Sequence, residues 1–175
     1  MKIIILFLLI FTSSYAQEMT EKPDPIQIIM MGKGKISKRE YNEFWRHLEV
    51  KNKEEKAATI LSMRQSFLPM QEYQKEIWTC AEIAYKKRKN VSCNKSLEVI
   101  NAYKKSSKLG NQNPYVKELE KMGEKILNAA AKREKLYLVN NEDGFNLDEK
   151  SIKESKEAFT SGVDRLKQVL VLEYK

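Results

Sequence analysis

Residues 78–108 read WTCAEIAYKKRKNVSCNKSLEVINAYKKSSK, and they hold both cysteines of the chain together with nearly all of its unbalanced charge. Upstream and into this stretch, Met70, Tyr73, Ile77, Cys80, Ala81 and Ala84 recur at three- and four-residue steps, which places them on one face of a helix. Leu97, Ile100 and Tyr103 mark a second helix, closed by Leu109-Gly110, since glycine is the usual residue just past a helix end. In an antiparallel hairpin of these two helices, Cys93 on the returning chain meets Cys80, and one disulfide pins the corner. Closing a loop of that size stabilises by about 3 kcal/mol in the chain-entropy description. The alternative is a pair of buried free thiols, each behaving as a small hydrophobe.

The same stretch carries Lys86, Lys87, Arg88, Lys89, Lys95, Lys104, Lys105 and Lys108 against the single acid Glu98, a local net charge of +7 in a chain of net +8. Lys2 lies in a segment expected to be removed, so the rest of the mature chain is neutral. Cations at the end of a helix complement its dipole by ~0.3–1 kcal/mol each, and charge runs are commonly solvated faces. The concentration of charge goes beyond that need, and these eight residues form the candidate binding surface for an anionic partner.

Residues 1–16 have the form of an export signal. Lys2 is followed by an unbroken apolar run of nine residues, 3–11, and then by Ser14-Tyr15-Ala16, small residues suited to cleavage before Gln17. Nine residues rise only about 14 Å as a helix, short of a ~30 Å hydrocarbon core, so a membrane anchor is the weaker reading and the mature chain has no transmembrane segment. The expected location is periplasmic or secreted. In that compartment a two-cysteine chain carries at most one disulfide, which excludes a disulfide-dense scaffold.

Working outward, residues 17–36 are expected to form an extended arm. Pro23 and Pro25 break it, 26–31 is a short apolar run laid on the helical body, and Gly32-Lys33-Gly34-Lys35 is a flexible joint. The helical domain then spans 37–175. It opens on the capping box Ser37-x-x-Glu40, followed by the aromatic stripe Tyr41, Phe44, Trp45 and Leu48. That stripe is read first as core and second as an apolar pocket for a small amphipathic ligand. A weaker cap at Asn52-x-x-Glu55 starts another helix, which Pro69 stops or kinks.

Asn113-Pro114 is a strong helix start, and Tyr115, Leu119, Met122, Ile126, Ala129, Arg133, Leu136 and Asn140 form a heptad-like seam. A turn over 140–144 leads to a last helix from about Asp148, with Ile152, Phe159, Val163, Leu166 and Leu170 inward and an apolar end at 169–172. The fold expected is all-α: a bundle of five to six helices with a long antiparallel C-terminal helix pair, a disulfide-pinned corner and no stable sheet. With 32% charged residues, above the usual ~25%, and only 6 Gly and 4 Pro, the composition suits long amphipathic helices.

No motif activates a nucleophile or cradles a phosphate, and the single histidine, His47, leaves no Ser-His or Cys-His pairing beyond itself. A sulfur–imidazole metal site cannot be assembled either. Neither an enzyme nor a cofactor is expected. The function expected is that of an exported interaction or adaptor protein whose basic corner binds another protein or an anionic envelope or surface component. The alternatives are a holdase-type chaperone and a carrier of small amphipathic ligands. Nucleic acid is an unlikely partner for an exported chain. Two glycan-acceptor triplets, at Asn90 and Asn94, flank Cys93.

Overall fold

The structure, a computed structural model, describes residues 25–137 and 143–171. The export signal over 1–16, the first part of the arm, Asn140 and Leu172 lie outside the described residues. The elements, in chain order, are α1 (Pro25–Met31), α2 (Lys38–His47), α3 (Lys53–Ser62), α4 (Leu68–Lys87), α5 (Asn94–Ser106), α6 (Pro114–Lys132), β1 (Lys135–Leu136), β2 (Phe145–Asn146) and α7 (Glu149–Val171). A π turn, Met63–Phe67, runs α3 into α4, so the two make one continuous rod, and the described residues form six such helices. Pro69 sits in the first turn of α4. Its ring clashes with the carbonyl four residues back and removes a hydrogen bond, and the wider turn just upstream absorbs that mismatch instead of ending the helix.

The bundle is built around α4. No residue from Leu68 to Glu82 is exposed, so this helix is covered on every side by α5, α6 and α7. Tyr73, Ile77, Ala81 and Ala84 are buried as their spacing predicts, while Gln71, Gln74 and Trp78 bury a second face. The two long C-terminal helices, α6 and α7, do not make the close pair expected from the short turn between them. Each packs chiefly on α4, because the all-round burial of α4 gives both a better partner than they give each other. Their connection is a short antiparallel hairpin, with Lys135 opposite Asn146 and Leu136 opposite Phe145. Leu136 is therefore a buried strand residue and not part of the helical seam.

The seam of α6 is also shifted. The buried positions are Val116, Leu119, Gly123, Ile126 and Ala130, whereas Tyr115 is exposed and Arg133 lies past the helix end. A Cβ on Gly123 would sit 2.4 Å from the Tyr73 hydroxyl oxygen and 3.0 Å from Ile77 Cδ1. The missing side chain is what lets α4 and α6 approach, and a reading by large apolar residues passes over it. Gly123→Ala is expected to lower stability by about 1–3 kcal/mol through overpacking, despite the ~0.5–1 kcal/mol that Ala gains over Gly in a helix. Because the clash is with one hydroxyl, Tyr73→Phe in the same chain should recover much of the loss. A denaturant double-mutant cycle with no coupling between the two positions would contradict this packing.

The segment 26–31, expected as an extended arm, is helical and lies on α7, with Ile29 and Met30 buried. With α2 and the end of α7 it builds a second apolar cluster of Ile29, Ile36, Tyr41, Phe44, Trp45, Met63, Leu166, Val169 and Leu170. Of the apolar C-terminal run, Val169 and Leu170 are buried and Val171 is exposed. Among the described residues, no helix is long and apolar enough to cross a membrane.

Candidate functional site

Cys80 and Cys93 form the disulfide, with their Cα atoms 5.8 Å apart. Cys93 is the residue that enters α5, so the bond ties the flank of α4 to the start of the next helix. Beyond Cys80, α4 continues for two turns to Lys87 and stops at Arg88, which takes the left-handed conformation (φ 50°). The Lys89 amide then donates back to the Ala84 carbonyl at 3.3 Å. A side chain in that conformation costs about 1 kcal/mol relative to glycine, and here the position holds an arginine.

The eight cations singled out in the sequence divide by their partners. Lys86 donates to Glu82 at 2.6 Å, and Glu82 also accepts from Lys156 of α7 at 2.7 Å. The hydrogen bond from Lys156, reinforced by that from Lys86, pulls the Glu82 carboxyl down to about 2, so it is ionised throughout the neutral range. Lys104 pairs with Glu120 of α6 at 2.5 Å. Lys86 and Lys104 are thus internally neutralised. Lys87, Arg88, Lys89, Lys95, Lys105 and Lys108 are exposed, and none makes an ion pair among the described residues.

Nor do the eight sit on one corner. Lys87, Arg88, Lys89 and Lys95 flank the disulfide. Lys104, Lys105 and Lys108 lie beyond or near the other end of α5, about 14 Å or more along its axis at 1.5 Å per residue. That exceeds the ~8 Å Debye length at physiological salt, so the two groups do not act as one cluster through solvent. The length of α5, not the sequence spacing, decides this.

The corner also gains residues that sequence spacing missed. Asn90 donates to Asn128 Oδ1 of α6 at 2.6 Å, and Arg133 stacks over the Tyr85 ring at 4.4 Å while its Nη2 reaches the Tyr85 carbonyl at 3.4 Å. With Gly123 against Tyr73 lower down, these contacts fix α4 and α6 as parallel neighbours whose C-terminal ends lie together. Arg133 ends α6 in the left-handed conformation (φ 57°), as Arg88 ends α4. The only sequence signal for this was a basic residue at each helix end.

Tyr41, Phe44 and Trp45, offered as a possible apolar pocket, are 3%, 2% and 7% exposed and filled on all sides by the second cluster. Phe44 and Trp45 meet edge to face, with centroids 5.0 Å apart, and Lys56 lies over the Tyr41 and Trp45 rings. They are core, so that surface is not available to a ligand. An open cleft of about 470 Å³ runs beside α7, lined by Gly34, Lys156, Glu157, Thr160, Asp164 and Gln168 among others. It is polar and carries charges of both signs. Among the described residues, no group of three or more His, Cys, Asp or Glu is placed to hold a metal ion. No family model, no curated protein and no solved structure matches this chain.

Proposed function

We propose that this protein is an exported helical interaction module that docks an anionic partner, a protein or a surface component, through the disulfide-pinned corner. The observation that carries this reading is the contrast within one patch. Lys86 is neutralised by Glu82, while Lys87, Arg88, Lys89 and Lys95 project unpaired from a connection held by a covalent bond and by Asn90 on α6. Fixed cations lose less freedom on binding than mobile ones, and steering by an exposed patch raises the association rate more than the final affinity. The leader-like residues 1–16 and the disulfide both suit an oxidising compartment outside the cytoplasm.

The test uses the disulfide-intact mature chain on immobilised heparin, a sulfated polysaccharide. The quadruple variant Lys87→Gln, Arg88→Gln, Lys89→Gln and Lys95→Gln is expected to elute at clearly lower salt than the parent, with an unchanged melting temperature. The slope of log affinity against log salt should fall by roughly one for each polymer contact removed. Elution of parent and variant at the same salt would leave these four cations as a solvated helix end.

A further inference from the structure

We propose that the partner is a linear polyanion lying along α6, a deepening that rests on the anion-binding reading above. Lys117, Lys121, Lys125 and Lys132 are all exposed and follow one another at steps of four, four and seven residues. At 1.5 Å per residue they make a single file about 22 Å long on the outward crest of α6, with neighbours about 6 Å apart over its first half. That spacing is inside the ~8 Å Debye length, so a passing anion feels them together.

The file joins the two basic groups that α5 separates. At its start, the Lys104–Glu120 pair fastens the end of α5, with Lys105 and Lys108, to α6. At its finish, the Asn90–Asn128 bond and the Arg133–Tyr85 contact fasten the corner, with Lys87, Arg88 and Lys89, to α6. What reads in sequence as a compact cluster is in space a track along one side of the bundle.

The acids nearby set the shape of the ligand. Glu118 and Glu124 lie on either flank of the file, Glu118 within 3.3 Å of Lys121, and Glu134 is 4.0 Å from Lys132. In both pairs the side chains are more than half exposed, and such pairs contribute little and exchange readily for a stronger anion. A broad anionic plane such as a lipid surface would press on the flanking acids as well as the lysines. A chain one residue wide, carrying phosphate, sulfate or carboxylate at regular intervals, meets the lysines and passes between the acids. A small anion covers only one or two of them and forgoes the multivalent gain.

The probes are tripolyphosphate, inorganic polyphosphate tens of units long, and vesicles of phosphatidylglycerol, each titrated against the disulfide-intact mature chain. Long polyphosphate is expected to bind at least ~10-fold more tightly per chain than tripolyphosphate. The variant Lys117→Gln, Lys121→Gln and Lys125→Gln should lose ~10-fold or more for the long chain, little for tripolyphosphate, and about two to three from the salt slope. All three side chains are exposed, and an unchanged melting curve serves as the folding control. If the α6 variant binds the long chain as tightly as the parent while the corner variant does not, the track is wrong and the corner reading stands. Preference for the vesicles over the long chain overturns the linear ligand, and failure of both variants to differ from the parent overturns both readings.

Discussion

Replacing Arg165 by Met is expected to cost about 3–5 kcal/mol of stability, the range for breaking a buried charge network by removing one partner. Arg165 comes from α7 and is 1% exposed. Its Nε donates to the Ile29 carbonyl at 2.7 Å, its Nη1 to the carbonyls of Lys33 and Gly34 at 3.1 Å each, and its Nη2 to Glu40 Oε1 at 2.6 Å. One side chain therefore satisfies a carbonyl in α1 and those of the turn after it. It also holds the carboxylate that completes the capping box of α2, whose other oxygen accepts from the Ser37 amide at 2.9 Å. Met keeps the stem but leaves those buried acceptors without donors, each at a cost of about 1–3 kcal/mol. Lys keeps the charge but offers one point of donation where the guanidinium offers a fork, so Arg165→Lys should recover only part of the loss.

The loss should also have an address. Amide exchange over 25–36 should speed up in Arg165→Met before the rest of the chain responds, because α1 makes its main contacts with α7 and α2. The Ser37 amide bond, more than the arginine, holds the Glu40 carboxyl below its ordinary value. A lowered carboxyl contributes stability that is complete above its unfolded value near 4.5 and is lost as pH falls below it. The difference between parent and Arg165→Met is thus expected to narrow on acidification. An Arg165→Met protein within ~1 kcal/mol of the parent at neutral pH would show that α1 is held by apolar contact alone.

This clamp marks where the sequence stopped being legible. The capping box at Ser37 and Glu40, the Asn-Pro start of α6, the inward face of α7 and the Cys80–Cys93 bridge are all set by residues a few positions apart, and all were readable. The N-terminal arm was not. The apolar run 26–31 has no helical period to display, and its helix depends on a cap supplied from 136 positions away in the chain. Gly32 and Gly34, read as a flexible joint, are close-packed positions: a Cβ on Gly32 would fall 2.2 Å from Arg165 Nη2, and Gly34 takes φ 70° to offer its carbonyl.

The hairpin and the helix partners were hidden for the same reason. Residues 135–136 and 145–146 form a ladder only two residues long, which leaves no periodicity to detect. That α6 and α7 choose α4 over each other follows from Gln71, Gln74 and Trp78, which sit on a face of α4 that a one-stripe reading assigns to solvent. The candidate surface was legible as a list of cations but not as a shape. Charge counts along the chain carry no information about α5 holding Lys104 about 14 Å from Lys95, or about α6 lying beside both.

Removing the disulfide is expected to lower stability by about 3 kcal/mol, which in a chain of this size is a fall of roughly 6–12 °C in melting temperature. Cys80 and Cys93 are separated by 13 positions. The unfolded chain loses the entropy of that loop when they are joined, so most of the effect belongs to the unfolded state. The folded chain should survive the change, because Ile77, Trp78 and Ala81 on one side and Ser96, Ile100 and Tyr103 on the other stay buried without the bond. Cys80→Ala with Cys93→Ala also removes two sulfurs from the packed corner, so the parent measured under thiol reductant is the needed companion. Agreement of the two melting shifts assigns the loss to the cross-link, and a larger shift in the Ala variant assigns the excess to packing. The corner should respond differently from the core. Without the bond, residues 81–92 are held by the end of α4 and by Asn90 alone, and the exposed cations must be ordered during binding, which weakens attachment to the long polyanion by the cost of that ordering. A reduced protein that melts with the oxidised one would mean the helical hairpin already holds Cys93 against α4, leaving the bond no stabilising role.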